Sequence, residues 1–185
     1  STGSLTVGAN NGSSTFGGSI TGSGELIKAG TGTFTFNSNL DFTGTLTISS
    51  GVVALNGFDL TAGTLHITGD CTLDFGNSAA STLTATYFIV DSGVTLTGSN
   101  WVNLVDYFNV VNNPGGSPGN PPLNQVVFTG GSYTNDATKW LSYDHQITPA
   151  PEPATYGAIL AGCSALLLAW RRRRTGWSAR SARGF

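Results

Sequence analysis

Short runs of alternating apolar and polar residues, separated by glycine-rich turns, fill the chain from residue 4 to about residue 55. Alternation of period two, bounded by Gly, Asn and Ser, is typical of β-strands. The apolar positions recur every 7 to 12 residues, at Leu5, Phe16, Leu26, Phe34, Leu46 and Val53. No helical period accompanies them, so the pattern predicts an all-β fold built from many short strands.

Regular short strands fit a sandwich, a barrel or a parallel β-helix. The same pattern continues through residues 56–96, in the runs TLHI, CTLDF, TLTATYFIV and VTL. At about 20 to 25 residues per coil, the span up to Val105 would form about four to five coils. The aromatic-rich residues 101–111 are predicted to cap such a solenoid, although a final sheet layer would show the same pattern.

Residues 22–55 favour the solenoid, because GSGELIKAGTGTFTFNSNLDFTGTLTISSGVVAL resembles the autotransporter-associated β-strand repeat. The resemblance implies a right-handed parallel β-helix of the kind found in surface and secreted proteins. Inward Leu, Ile, Val and Phe would stack between coils, and glycines would supply positive φ at corners. We therefore predict a solenoid over residues 1–111. The matching positions are Gly22, Gly24, Leu26, Lys28, Gly30, Gly32, Thr43, Gly44, Thr45, Ile48 and Gly51.

Composition changes after the predicted solenoid. Residues 112–122, NNPGGSPGNPP, hold four of the seven prolines and are predicted to form a loop. Residues 123–150 contain the run VVFTG at 126–130 and then lose clear alternation. They are predicted to form one final strand and a stalk.

An uncharged stretch, residues 154–170, predicts a single C-terminal transmembrane α-helix. A helix over this stretch would be about 26 Å long, against a hydrocarbon core of about 30 Å. Tyr156 and Trp170 would lie at the two interfaces. Four arginines follow and predict a cytoplasmic C-terminus under the positive-inside rule. They are Arg171, Arg172, Arg173 and Arg174.

Residues 151–174 resemble the PEP-CTERM sorting signal, in which a Pro-Glu-Pro motif precedes a hydrophobic helix and a basic cluster. The resemblance implies that Pro151, Glu152 and Pro153 are the recognition motif and that the arginines stop transfer. It also implies a partner, the membrane-embedded enzyme exosortase, and an inner-membrane intermediate. The final location would be the cell surface or extracellular matrix of a Gram-negative-type bacterium. Residues 175–185 continue past the basic cluster, where chains of this family usually end.

Charge divides sharply between the two parts of the chain. Residues 1–150 carry two lysines against nine acidic residues, net −7, whereas residues 151–185 carry six arginines against one glutamate, net +5. Binding of nucleic acid depends on neutralising phosphates with Lys and Arg, so no nucleic-acid partner is predicted. Export requires a signal peptide, which we expect to lie upstream of Ser1 or to have been removed.

Catalytic chemistry has one weak candidate, the segment TLHITGDCTLDF with His66, Asp70 and Asp74. A β-helix that degrades polysaccharide would use such groups as acid and base. Alternation instead places His66 and Asp74 among ordinary solvent-facing residues and Asp70 in a turn. No metal-binding motif is present and no cofactor is predicted. The prediction is therefore that the protein is not an enzyme.

Exposed aromatic rings would suit binding of extracellular polysaccharide, and the possible glycan contacts are Trp101, Tyr107, Tyr133 and Trp140. Burial of the same rings in a solenoid cap is the simpler interpretation. The sequence thus predicts an exported structural or adhesive surface protein. A glycan-binding matrix module is the alternative, and a polysaccharide-degrading β-helix is less favoured.

Overall fold

A computed structural model of the chain describes residues 3–76, 79–115, 121–130, 133–136 and 138–149, with backbone alone for residues 130 and 133–136. Within these residues the chain forms sixteen β-strands and one turn of 3-10 helix, Leu123–Gln125. The all-β prediction is confirmed. The strands are β1 (Ser4–Val7), β2 (Ser14–Phe16), β3 (Glu25–Lys28), β4 (Thr33–Phe36), β5 (Leu40–Asp41), β6 (Thr45–Ile48), β7 (Gly51–Ala54), β8 (Leu60–Ile67), β9 (Cys71–Asp74), β10 (Thr82–Val90), β11 (Leu96–Ser99), β12 (Tyr107–Val110), β13 (Val126–Gly130), β14 (Tyr133–Asp136), β15 (Thr138–Leu141) and β16 (Gln146–Pro149).

The strands coil into a parallel β-solenoid of about five turns, as the sequence predicts. Successive strands of one sheet are one coil apart in the chain, in the order β1-β3-β6-β8-β10-β12. The second sheet runs β2-β4-β7-β9-β11-β13. All of these neighbouring strands are parallel, because each coil brings the chain back to the same position one layer further along.

The solenoid has three faces, because β8 and β10 each turn a corner. The pairing of β8 with β10 skips from Ala62↔Ala85 to Thr64↔Tyr87, and the strands bend there. We call the strands after this corner, β1, β3, β6 and the second halves of β8 and β10, the first face. The second sheet is the second face. The third face comprises β5, the first halves of β8 and β10, and β12.

Inward side chains stack in columns along the solenoid axis. On the first face Leu26, Leu46, Leu65 and Phe88 are consecutive in register, and all are buried. On the third face the corresponding column is Leu40, Leu60, Leu83 and Phe108. Stacking the same position of each coil removes both faces of every inward side chain from water. The alternation in the sequence therefore specifies the core directly.

Antiparallel strands end the parallel ladder at its C-terminal side. Strand β16 pairs with β12 and with β15, and β14 pairs with β13. Ile147 is buried on β16, and Trp140 packs against the core from β15. A change of direction at this end prevents a further coil from adding in parallel register.

Two boundaries differ from the prediction. The parallel ladder does not end at residue 111, because β13 pairs in parallel with β11 after the proline-rich segment. Residues 138–149, predicted as a stalk, form the β15–β16 hairpin instead. Their alternation is weak because β16 is buried on both sides, with the polar Gln146 and Thr148 among its buried residues.

Candidate functional site

The three catalytic candidates do not converge. His66 lies on the first face, and its Nε2 is 2.9 Å from Asp91 Oδ1, in an exposed pair. Asp70 Oδ1 accepts the backbone N–H of Thr95 in the turn before β9. Asp74, on the second face, accepts the backbone N–H of Gly76 and the side-chain amide of Asn100. Asp91, Asp70 and Asp74 thus each stabilise a different turn or contact between coils.

The partner of His66 was not predicted from the sequence. Asp91 follows His66 by 25 positions, two more than the 23 positions that separate paired residues of β8 and β10. His66 itself is in register with Ile89, so Asp91 lies two residues further along the same coil. A search for residues one coil apart, rather than close in sequence, would have found this pair.

Trp101 does not present its ring to a ligand, because it is 1% exposed. Its ring packs edge to face on Phe75, with centroids 4.9 Å apart, and lies 4.9 Å from the ring of Phe128. The glycan-contact prediction is wrong for this residue. The capping interpretation is correct, since three large rings fill the C-terminal end of the core.

The other predicted glycan contacts are separated. Tyr107 is 40% exposed on the third face, where its hydroxyl donates to the carbonyl of Leu104 at 3.3 Å. Trp140 is half-buried, and its Nε1 donates to the carbonyl of Val110 at 3.0 Å. This hydrogen bond joins the β15–β16 hairpin to β12. The Tyr133 side chain lies outside the described part, and its contact stays a prediction.

A buried lysine occupies an inward position. Lys28 is in register with Val7 and Ile48, in a column that is otherwise apolar, and it is 0% exposed. Its Nζ donates to the carbonyls of Ala29, Gly30 and Ser50. Desolvation by burial lowers the pKa of Lys28, and Cys71 acts in the opposite sense. The ammonium group therefore binds the corner carbonyls that a shorter side chain would leave bare.

Cys71 is buried beside this corner and is free. Burial above all, and secondarily the charge of Asp70, raises the pKa of the Cys71 thiol to about 12, whereas Lys28 lowers it. A nucleophilic cysteine needs a low pKa and access to solvent. Cys71 has neither and is a structural residue.

A groove runs along the corner between the first and third faces. Its rim is formed by Asp41, Thr43, Thr61, Thr64, Thr86 and Tyr87, over a floor of Phe42, Ala62 and Gly63, and it is a shallow, open depression of about 360 Å³. We call it the corner groove. It exists because glycine occupies the bend in consecutive coils. Gly24, Gly44 and Gly63 are so closely stacked that a Cβ on either of the last two would overlap a carbonyl oxygen of the coil below.

The corner groove was not predicted from the sequence, although a signal for it is present. Two successive corners read Thr43-Gly44-Thr45 and Ala62-Gly63-Thr64. The next reads Ala85-Thr86-Tyr87, so a threonine replaces the glycine and a tyrosine replaces the threonine. The replacement of glycine and threonine is visible only when successive coils are aligned with one another.

The predicted sorting motif and membrane anchor lie outside the described residues, as do residues 175–185. In the described part of the chain, no helix has both the length and the apolar character needed to cross a membrane. In that same part, no three His, Cys, Asp or Glu side chains are grouped so as to hold a metal ion.

Comparison with known proteins finds no matching family model, no matching curated protein and no matching solved structure.

Proposed function

We propose that the protein is an exported, non-enzymatic structural or adhesive component of a bacterial cell surface or extracellular matrix. Its tail, residues 151–174, would direct it to an exosortase, with processing near Pro151. The resemblance of the tail to a PEP-CTERM signal and that of residues 22–55 to a repeat of surface proteins both support this proposal.

The observation that carries the proposal is where the last described strand ends. Strand β16, the last that the structure describes, ends at Pro149, two residues before the Pro-Glu-Pro motif begins. Its pairing with β12 and β15 completes the C-terminal end of the solenoid. Cleavage between residues 149 and 154 would leave every described strand paired. A sorting signal that is cut off needs such a position, outside the paired strands that the structure describes.

The surface chemistry supports a structural role. His66, Asp70 and Asp74 are each engaged in hydrogen bonds between coils or within turns, at different parts of the surface. A general acid and base must reach one reacting atom together. Binding of a polysaccharide, the second candidate function, is favoured by the corner groove. Degradation of a polysaccharide remains the least favoured of the three.

The proposal is tested by the intact mass of the full chain, expressed with a secretion signal in a Gram-negative bacterium that carries an exosortase and recovered from its surface or matrix. We expect a product that ends between residues 149 and 154. Alanine at Pro151, Glu152 and Pro153 together should leave the tail attached and the protein in the inner membrane. The control is Pro114→Ala, which changes a proline outside the motif and should be processed normally.

A wild-type mass that retains residues 151–174 would overturn the exosortase part and indicate a permanent anchor. Recovery of the wild-type chain only from the cytoplasm would overturn export itself.

A further inference from the structure

The corner groove has an aromatic wall at one end. Tyr87 is in register with Thr64, which is in register with Thr45, so tyrosine follows two threonines in one outward column. Its side chain is 55% exposed. An exposed tyrosine adds nothing to the solenoid core. The inward position beside it is already filled by the buried Phe88. The ring is therefore available to a ligand that enters the groove.

The groove also holds the carboxylate of Asp41, which pairs with no other residue that the structure describes. Of the acidic side chains that the structure describes, only Asp41 accepts no hydrogen bond from another described residue. It lies on β5 in register with Thr61, and both residues line the groove. The others each accept at least one hydrogen bond, and they are Glu25, Asp59, Asp70, Asp74, Asp91, Asp106 and Asp144. Asp41 is thus the one acceptor in this set that is free for a ligand.

Hydroxyl groups line the rest of the rim. Thr61, Thr64 and Thr86 each present a hydroxyl that can donate one hydrogen bond and accept others. The sequence has no Lys or Arg between Lys28 and Lys139, and Lys28 is buried. The groove therefore offers no cation to an anionic ligand, and the Asp41 carboxylate would repel one.

We propose that the corner groove binds a neutral glycan chain. The ring of Tyr87 stacks on the apolar C–H face of one sugar, the Asp41 carboxylate accepts hydrogen bonds from sugar hydroxyls, and the threonines satisfy neighbouring hydroxyls. An aromatic platform with a few convergent polar groups is the usual composition of such sites. The axis of the groove crosses successive coils about 4.8 Å apart, so it suits an extended chain rather than a single sugar. This inference rests on the proposed adhesive function and assigns the class of ligand to it.

The test is affinity electrophoresis of the purified full chain through native gels that contain one soluble polysaccharide each. The neutral probes are hydroxyethylcellulose, laminarin and galactomannan, and the anionic probes are alginate and polygalacturonate. The chain is kept in a detergent whose headgroup is not a sugar, so that the detergent does not compete. We expect at least one neutral probe to retard the wild type and neither anionic probe to do so.

Three variants assign the retardation to the groove. Tyr87→Ala should weaken the apparent affinity about tenfold, as expected for loss of one stacked ring, and Asp41→Asn should weaken it also. Tyr87→Phe keeps the ring and should retain most of the affinity. The matched control is Tyr143→Ala, which removes an 81% exposed tyrosine elsewhere in the chain and should bind like the wild type. Unchanged circular dichroism of each variant shows that the fold is intact.

The proposal is overturned if no neutral probe retards the chain, if anionic probes retard it equally, or if Tyr87→Ala binds as the wild type does. Because this experiment uses purified protein, its failure leaves export and processing untouched. Conversely, a chain that is never processed in cells can still bind glycan in the gel.

Discussion

The ammonium group of Lys28 donates a hydrogen bond to the backbone carbonyl of Ser50, 22 positions further along the chain and one coil away, at 3.1 Å. The same group binds the carbonyls of Ala29 and Gly30 in its own corner. One buried side chain therefore ties two successive coils together at a bend where backbone pairing is interrupted.

Replacing this group should be costly. Lys28→Met keeps the apolar stem but leaves three carbonyls without their donor, and we expect a loss of about 3 kcal/mol in the free energy of unfolding. The measurement is urea denaturation of the full chain followed by circular dichroism. Lys139→Met, at a less buried position on β15, should change stability by no more than about 0.5 kcal/mol. Equal stability of the two variants would contradict the structural role of Lys28.

The glycine corner predicts a position-dependent effect of one methyl group. A Cβ on Gly44 would overlap the carbonyl oxygen of Gly24, whereas a Cβ on Gly3, at the corresponding corner of the first coil, meets nothing within 4 Å. Gly44→Ala should therefore lower the free energy of unfolding by about 3 kcal/mol or prevent folding, and Gly3→Ala should be nearly neutral. Thermal unfolding of both variants compares them. Similar melting temperatures would show that the coils are not stacked this closely.

Cys71 should resist alkylation in the folded chain. Its thiol is buried, and its pKa is raised to about 12, so very little thiolate is present at pH 8. We expect iodoacetamide to modify Cys71 at least about a hundredfold more slowly in the native chain than in urea. Peptide mapping by mass spectrometry follows Cys71 separately from Cys163. Rapid native modification would mean that this corner opens readily.

The same thiol makes stability fall in alkaline solution. The unfolded thiol ionises near its ordinary pKa of 9.0, but the folded thiol stays protonated up to about 12. The folded state thus binds more protons between these values, and its stability is fully present below pH 9 and is lost as pH rises toward 12. Cys71→Ala should remove a slope of up to about 1.4 kcal/mol per pH unit in this window. The check is a series of denaturation curves from pH 8 to pH 11 for the wild type and for Cys71→Ala. The difference between the two isolates the thiol, because Lys28, whose pKa is lowered, changes stability with pH in the opposite direction in both proteins.

Trp101 should behave as a core residue. It contacts Phe75 and Phe128 at the C-terminal end of the solenoid. Trp101→Ala should lower the free energy of unfolding by about 3 to 5 kcal/mol, whereas the exposed Tyr143→Ala should change it by about 0.5 kcal/mol or less. Loss of polysaccharide binding without loss of stability in Trp101→Ala would instead restore this residue as a ligand contact.

Most of the solenoid could be predicted from local pattern. The alternation in TFTF and TLTI places Phe34 and Leu46 inward, and both are buried. The same alternation places Lys28 inward, yet the preference of lysine for solvent argues against that assignment. Only the three carbonyls around its Nζ explain the burial, and they come from a corner that no local pattern describes.

The hairpin β15–β16 was harder to predict for a related reason. Strand β16 is buried on both sides, so the contrast between apolar and polar positions disappears there. Trp101 was ambiguous because aromatic rings suit both ligand surfaces and cores. Its packing between Phe75 and Phe128, which belong to different coils, shows that it caps the solenoid.

The sequence by itself determined the class of fold and the length of each coil, because a period of two and regularly spaced glycines are local properties of a chain. Tertiary structure decided which residues meet across coils. His66 meets Asp91 rather than Asp70, and Asp41 and Tyr87 come to share one groove although they are 46 positions apart. The register between coils depends on how every inward side chain stacks on the one below, and that is a property of the assembled solenoid.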